Sequence, residues 1–261
     1  MRYHYVWLWW SSAFLAPWIV LYLANPLLRA VMWRTSLATS AFGLTEPIFV
    51  PQYWNPPSLF ELAQRTRFDI ESVIFSFAIG GAGVVLYNAV THSHLAPVSA
   101  AARGEPLHRF HRAALVVPAI AFGPLVLLPW DSIYAAITAL ILGSAASVAC
   151  RPRLLMNALV GGALFLGFYS AFMLGLAWSA PGYIAQVWNL PALSGVLIYD
   201  IPIEEFLFAV AFGLYWSGVY EHYTWTEGMS HTGDGDRFLT GRSLRTRDAH
   251  DPSADSSAES R

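Results

Sequence analysis

Apolar residues are grouped along the chain into runs of about twenty, separated by short segments that carry arginine, proline or acidic residues. A helix of about twenty apolar residues crosses the ~30 Å hydrocarbon core of a membrane. The pattern therefore predicts six strong spanning helices and a weaker seventh, which indicates an all-α integral membrane bundle. The strong spans cover 5–24, 68–90, 113–129, 132–149, 155–179 and 199–220, and the weaker one covers 32–50.

The positions of the arginines orient the predicted bundle. The loops after the spans 68–90 and 132–149 contain Arg103, Arg109, Arg112, Arg151 and Arg153. Short basic loops remain on the cytoplasmic side of a membrane. A crossing at 32–50 places Arg29 and Arg34 on that side as well. We therefore predict about seven helices in the cell (cytoplasmic or inner) membrane, with the N-terminus outside and the C-terminal tail in the cytoplasm.

The composition agrees with a membrane protein and excludes several kinds of site. Only 12% of the 261 residues are charged and 56% are hydrophobic, whereas about a quarter of a typical soluble chain is charged. One cysteine, Cys150, allows neither an internal disulfide nor a multi-cysteine metal cluster. The chain contains no lysine, which excludes a retinal or pyridoxal Schiff base. The glycine-rich run 80–83 lies inside a predicted span, so we expect no dinucleotide cofactor, and we expect no nucleic-acid partner.

A self-similarity divides the chain into two halves. The hexapeptide at 54–59 reads WNPPSL and the one at 188–193 reads WNLPAL, each just before a predicted span. Four later residues recur at one constant offset of 133 positions: Glu71, Phe75, Gly80 and Tyr87 match Glu204, Phe208, Gly213 and Tyr220. We predict two parallel repeats, at 1–95 and 113–225, with both Trp-Asn segments on the external side.

The connection between the repeats and the C-terminal tail are polar. Residues 96–112 form a predicted cytoplasmic loop, and residues 226–261 lack the apolar content of a core and are predicted to be disordered. Around the loop, His92 and His94 have His-x-His spacing and His108 and His111 have His-x-x-His spacing, which can suit a metal. With no carboxylate-rich pattern beside them, we favour a solvated basic loop in contact with anionic lipid headgroups, and we predict no metal site.

Three glutamates stand near the start of predicted spanning helices. An ionisable side chain inside a membrane costs ~2.5–3.5 kcal/mol on insertion scales, so it normally faces the bundle interior or a cavity. Glu204 and Glu205 double that cost, and Glu71 is their counterpart in the first half. Paired carboxylates can supply an acid and a base. The alternative is that these acids only satisfy free N–H groups at the helix starts. Glu46 is a further embedded acid, and Asp131 is expected to cap the following helix.

The segment 200–208, DIPIEEFLF, resembles the Pro-x-Glu-Glu-x-x-Phe signature of the lycopene cyclase domain family, the small membrane-bound carotenoid cyclases. The resemblance extends over both repeats and excludes the tail. In the first repeat, Asp69 stands in place of the proline and Ser72 in place of the second glutamate. The resemblance implies conversion of the linear ends of a carotenoid into ionone rings, without net redox change and without a cofactor.

Such a reaction requires an acid that protonates a terminal double bond, a base that removes a ring proton, and a chamber that excludes water. We therefore predict Glu204, Glu205 and Glu71 as catalytic residues. Aromatic faces stabilise a cation, and the predicted substrate-binding residues are Phe75, Phe206, Phe208, Trp54, Trp188, Tyr220 and Glu46. Two alternatives are open: a carotenoid-binding or assembly subunit without catalysis, and a proton- or cation-coupled transporter. The expected partners are the lipid bilayer and a carotenoid, with a second copy of the chain or other enzymes of carotenoid synthesis as further candidates.

Overall fold

A computed structural model describes residues 3–229, and it consists mainly of helices. The helices are α1 (Val6–Ala13), α2 (Leu15–Ala24), α3 (Arg29–Ser40), α4 (Leu62–Thr66), α5 (Ile70–Val90), α6 (Ala100–Arg103), α7 (His111–Leu125), α8 (Ser132–Cys150), α9 (Leu154–Ser179), α10 (Tyr183–Val187) and α11 (Ile203–Thr224).

Short 3-10 segments and strands connect these helices. The 3-10 segments are Pro26–Leu28, Ala41–Ile48, Leu59–Glu61, Pro106–Phe110 and Leu190–Ala192, and the strands are β1 (His94–Pro97), β2 (Leu197–Ile198), β3 (Ile201–Pro202) and β4 (Thr226–Met229). β1 pairs with β4 and β2 pairs with β3, both antiparallel.

Four helices in the described part of the chain are long and apolar enough to cross a membrane: Val6–Ala24, Ile70–Val90, Ser132–Cys150 and Leu154–Ser179. They correspond to four of the predicted strong spans. Of the other predicted spans, 113–129 overlaps the 15-residue α7, which has two internal prolines, and 199–220 overlaps the 22-residue α11, which includes three glutamates. The weak span 32–50 is divided between α3 and a 3-10 segment. The count of seven crossings therefore remains a prediction.

The helix α11 packs against both α9 and α8, and it also contacts α5. The contact with α5 includes a hydrogen bond from the Trp216 indole to the Gly80 carbonyl oxygen, 3.1 Å long. The contact with α9 is close because Gly213 faces Gly161 and Phe165 across the interface. Small residues allow such close approach between helices in membranes.

The two Trp-Asn segments meet at one end of the bundle. The Asn55 amide donates to the Val187 carbonyl oxygen at 2.8 Å, and the Asn189 amide donates to the Tyr53 carbonyl oxygen at 2.9 Å. Between them, Trp54 and Trp188 form an antiparallel bridge. These two hydrogen bonds are reciprocal, so equivalent positions of the two segments contact each other.

At the opposite end of the bundle, the structure differs from the predicted domain organisation. Thr226–Met229, predicted to begin a disordered tail, form β4. The strand is held because Glu221 accepts from the Gly228 amide at 3.3 Å and Arg151 donates to the Thr226 carbonyl oxygen at 3.0 Å. The rest of the predicted tail lies outside the described residues. The predicted loop 96–112 contains α6, a 3-10 segment and the start of α7.

Replacing Gly213 by Ala is expected to destabilise the bundle. The added Cβ would lie 2.7 Å from the Phe165 Cβ and 2.8 Å from the Gly161 carbonyl oxygen, and overpacking of this kind costs ~1–3 kcal/mol. Gly218→Ala on the same helix is the control, because the nearest atom to its Cβ is the Leu154 Cδ1 at 3.7 Å. Thermal unfolding in detergent measures both. An unfolding midpoint for Gly213→Ala equal to or above that of Gly218→Ala would contradict this packing.

Candidate active site

The start of α11 places two glutamates on different sides of one helix. α11 begins directly after Pro202, and the Ile203 amide donates to the Val196 carbonyl oxygen at 3.0 Å. Residues adjacent in sequence do not face each other on a helix. Glu204 and Glu205 are both buried, at 1% and 4% exposure. Because their side chains point in different directions, they have separate sets of hydrogen-bond partners.

Glu205 is held by three donors. The Trp188 indole donates to Oε1 at 2.6 Å, the Tyr169 hydroxyl donates to Oε2 at 2.6 Å, and the Tyr53 hydroxyl also donates to Oε1. An indole N–H can only donate, which requires an acceptor oxygen at Oε1. Both oxygens of Glu205 are thus occupied, and the side chain is fixed between the two halves of the chain.

Glu204 has one occupied oxygen and one without a partner. The Tyr134 hydroxyl donates to Oε1 at 2.6 Å, and the Ser194 amide donates to the same oxygen at 2.9 Å. Oε2 is buried and has no hydrogen-bond partner among residues 3–229. Unsatisfied buried polar atoms are uncommon in folded proteins and need an explanation.

Glu71 in the first half has the same arrangement. Its Oε1 accepts from the Leu59 amide at 2.7 Å, and its Oε2 is buried without a partner in the described part of the structure. Leu59 ends the first Trp-Asn hexapeptide, and Ser194 directly follows the second. Asp69, not Glu71, caps α5, because its side chain accepts from the Ser72 amide. Each of the two glutamates is therefore anchored through one oxygen to the Trp-Asn segment of its own half.

Glu46 binds the Trp54 indole as Glu205 binds the Trp188 indole. The Trp54 Nε1 donates to Glu46 Oε2 at 3.1 Å, and the Glu46 side chain is buried. The residue at the sequence position equivalent to Glu205 is Ser72, which cannot accept as a carboxylate. In the first half, the carboxylate at the indole thus comes from the 3-10 segment Ala41–Ile48 and not from α5.

Four of the six predicted aromatic residues lie in the aromatic core near the carboxylates. Trp54 and Trp188 lie 5.3 Å apart, Phe75 lies 5.4 Å from Trp7, and Phe208 lies 6.0 Å from Tyr169, all measured between ring centroids. These four predicted residues therefore belong to the aromatic core that surrounds the carboxylates.

The other two predicted aromatic residues differ from these four. Phe206 is partly buried against the core. Tyr220 stands sixteen residues after Glu204 on α11, which at ~1.5 Å per residue is ~24 Å along the helix. The structure thus does not bring Tyr220 together with the carboxylates.

Three tyrosines of the site are absent from the predicted set. Tyr53 and Tyr169 bind Glu205, and Tyr134 binds Glu204. Tyr134 and Tyr169 lie within long apolar helices, where a hydroxyl needs a partner, and this is the one signal in the sequence that could have identified them.

The predicted cap is confirmed, since Asp131 accepts from the Ile133 amide at 3.1 Å. Burial raises the pKa of the Asp131 carboxyl above its usual value.

The histidines at the opposite end are not all solvated. His92 is exposed, as predicted, but His111 is 5% exposed and lies beside Cys150 and His108. The prediction of a solvated loop is therefore wrong for His111. The sequence did not reveal this cluster because Cys150 ends α8, about forty residues away.

Comparison with known proteins finds a family match in the second half of the chain. Residues 131–223 match the family described as Lycopene cyclase. The matched range is less than half of the chain, and it includes Tyr134, Tyr169, Glu204 and Glu205. No curated protein and no solved structure shows a significant match.

The two adjacent glutamates are expected to differ in their effect on stability. In Glu205→Gln the Tyr169 hydroxyl must reorient to accept from the new amide nitrogen, and the hydrogen bonds to a charged group are lost, at a cost of ~1.5–3 kcal/mol each. In Glu204→Gln the oxygen can still accept from Tyr134 and Ser194, and the amide takes the place of the unpartnered Oε2. We expect a lower thermal unfolding midpoint in detergent for Glu205→Gln than for Glu204→Gln. Equal midpoints would contradict the assignment of partners.

Proposed function

We propose that this chain, a member of the lycopene cyclase family through residues 131–223, is a membrane carotenoid cyclase that isomerises the linear end of a carotenoid to an ionone-type ring. One observation carries the proposal: the Oε2 of Glu204 is a buried carboxylate oxygen that has no hydrogen-bond partner among the described residues. A charged oxygen without a donor is costly in an apolar interior. A proton on Oε2 removes that cost, and this proton starts the reaction.

The first step transfers the proton of Glu204 to the terminal double bond of the substrate. The π electrons of that bond form the new C–H bond, which leaves a positive charge on a tertiary carbon. The next double bond of the polyene attacks this carbon, closing the ring and moving the charge into it. Loss of a ring proton to a carboxylate restores a double bond, so the reaction consumes no oxidant and no reductant.

Glu205 and the aromatic residues stabilise the cationic intermediates. Three donors hold Glu205 in position, so its negative charge is fixed near the start of α11. A fixed charge requires no reorganisation when positive charge develops on the substrate. The rings of Phe208 and Tyr169, 6.0 Å apart, lie nearby, and each aromatic face contributes ~0.5–2 kcal/mol to a cation that it contacts.

The apolar bundle supports this chemistry in two ways. Water that reached the cation would trap it as an alcohol, so the site must exclude solvent. Helices long and apolar enough to cross a membrane surround α11, including α8 and α9. The same apolar surroundings dissolve the hydrocarbon substrate, which favours an intramembrane cyclase over a carrier with a polar route through the membrane.

The first half supplies a counterpart centre in this proposal. The Oε2 of Glu71, which has no partner within residues 3–229, corresponds to the Oε2 of Glu204, and Glu46 supplies the indole-bound carboxylate that corresponds to Glu205. The reciprocal contacts of the two Trp-Asn segments support a duplicated, parallel arrangement, and the arginine-rich loops favour the external side for both segments. In this arrangement the chain crosses the membrane about seven times, with its N-terminus outside.

Activity is tested in a host that accumulates lycopene, by analysis of extracted pigments. We expect Glu204→Gln to lower ring formation by ~10²–10⁴, the usual contribution of a general acid or base. Glu61→Gln is the matched control, because that glutamate belongs to an exposed pair with Arg65. Wild-type protein that binds lycopene without converting it would identify a binding subunit, and full activity in Glu204→Gln would contradict the proposed acid.

The contribution of the first half is measured in the same host. We expect Glu71→Gln and Glu46→Gln to lower the yield of rings relative to Glu61→Gln, because both remove a carboxylate of the counterpart centre. Unchanged yield in both variants, at equal protein level in the membrane, would confine the chemistry to the second half.

A further inference from the structure

Three metal-binding side chains converge at the end of the bundle opposite the carboxylates. His108 comes from the 3-10 segment Pro106–Phe110, His111 begins α7 and Cys150 ends α8. One ligand atom from each residue lies within 4.8 Å of the others, and His111 and Cys150 are buried. We propose that His108, His111 and Cys150 form a binding site for a borderline-soft transition metal ion, with Zn²⁺ the ion that best fits this set of donors.

The distances in the cluster agree with tetrahedral coordination. Cys150 Sγ lies 3.5 Å from His108 Nδ1 and 3.6 Å from His111 Nδ1. A tetrahedral zinc ion with Zn–S of ~2.3 Å and Zn–N of ~2.0–2.1 Å places sulfur and nitrogen ~3.5–3.6 Å apart. Both sulfur–nitrogen distances thus fall in this range, and titration with Co²⁺ distinguishes a shared ion from S–H···N hydrogen bonds of the same length.

The orientation of His111 supports the same conclusion. Its Nε2 lies 2.7 Å from the His222 carbonyl oxygen, which can only accept, so Nε2 carries the proton. Nδ1 is therefore the nitrogen with a free lone pair, and it is the one directed to Cys150. Metal-binding histidines typically donate their second N–H to a carbonyl or carboxylate in this way, which fixes the tautomer and the ring orientation.

Stacking on both sides holds the His111 ring in this orientation. The His222 ring lies 3.9 Å away at an angle of 10°, and the Trp225 ring lies 3.6 Å away at 11°. The ligand is thus preorganised by residues from the end of α11. Neither neighbour competes for Nδ1, since His222 contacts the backbone oxygen of His111 through its own Nε2.

The cluster leaves room for a fourth ligand. A cavity of about 360 Å³ borders the two histidines and is lined by His108, His111 and Trp225 together with Arg109 and Arg112, whereas Cys150 lies outside its lining. Three protein ligands with an open fourth position are found where zinc binds water or an exogenous ligand, whereas structural zinc sites usually have four protein ligands. Two imidazoles and one thiolate suit a borderline-soft ion better than Mg²⁺ or Ca²⁺, which prefer oxygen.

The test uses Co²⁺ as a spectroscopic probe for the zinc site. The full chain is purified in detergent with a tag that contains no histidine, stripped with a chelator and titrated with Co²⁺. We expect one equivalent to produce a thiolate-to-cobalt charge-transfer band together with the intense visible bands of tetrahedral cobalt, and we expect Zn²⁺ to displace it. A wild-type protein without the charge-transfer band would overturn the proposal.

Variants assign the band to the cluster. Cys150→Ser removes the only thiol of the chain and is expected to abolish the charge-transfer band, and His108→Gln at a half-buried position is expected to weaken Co²⁺ binding at least tenfold. His92→Asn, at an exposed histidine outside the cluster, is the control and should bind as wild type does. Size-exclusion elution shows that each variant is folded. A band that persists in Cys150→Ser, or equal affinity in His108→Gln and His92→Asn, would contradict the site.

Discussion

Burying carboxylates in an apolar helical bundle requires a hydrogen-bond donor for each of them, and this requirement organises the structure. At the candidate site, three donors come from the two Trp-Asn segments: the indoles of Trp54 and Trp188 and the amide of Leu59. The Ser194 amide, directly after the second segment, and three tyrosine hydroxyls provide the others. The same segments bind each other through reciprocal backbone hydrogen bonds. The contact that joins the two halves is therefore also the contact that positions the acids.

Glu204 and Glu205 are adjacent in sequence, but their hydrogen-bond environments differ. In the proposed function, Glu205 with its three donors holds a fixed charge, whereas Glu204, whose Oε2 has no partner among the described residues, carries a proton. In the first half, Ser72 replaces the second glutamate, yet Glu46 brings a carboxylate to the Trp54 indole. In each half a carboxylate accepts from the tryptophan indole, although it comes from the 3-10 segment Ala41–Ile48 in the first half and from α11 in the second.

The sequence predicted those features that depend on local spacing. Apolar runs located α5, α8 and α9, and an acidic residue before a helix identified Asp131 as a cap. Contacts between distant segments could not be predicted, because one sequence does not show which faces meet. Tyr53 and Tyr169 at Glu205 are of this kind, as is Cys150 beside His111. The polar Thr226–Met229 resembled a tail because its partners β1 and Arg151 are distant in the chain.

The most direct test of the account is to follow the proton itself. Lycopene is converted by membranes containing the wild-type protein in D₂O, and the cyclic product is analysed by mass spectrometry and NMR. We expect each ring to carry solvent deuterium at the carbon protonated first, and the product formed in H₂O to have the same mass as lycopene. A ring without solvent deuterium, or a product whose mass in H₂O differs from that of lycopene, would contradict proton-initiated isomerisation by the buried glutamates.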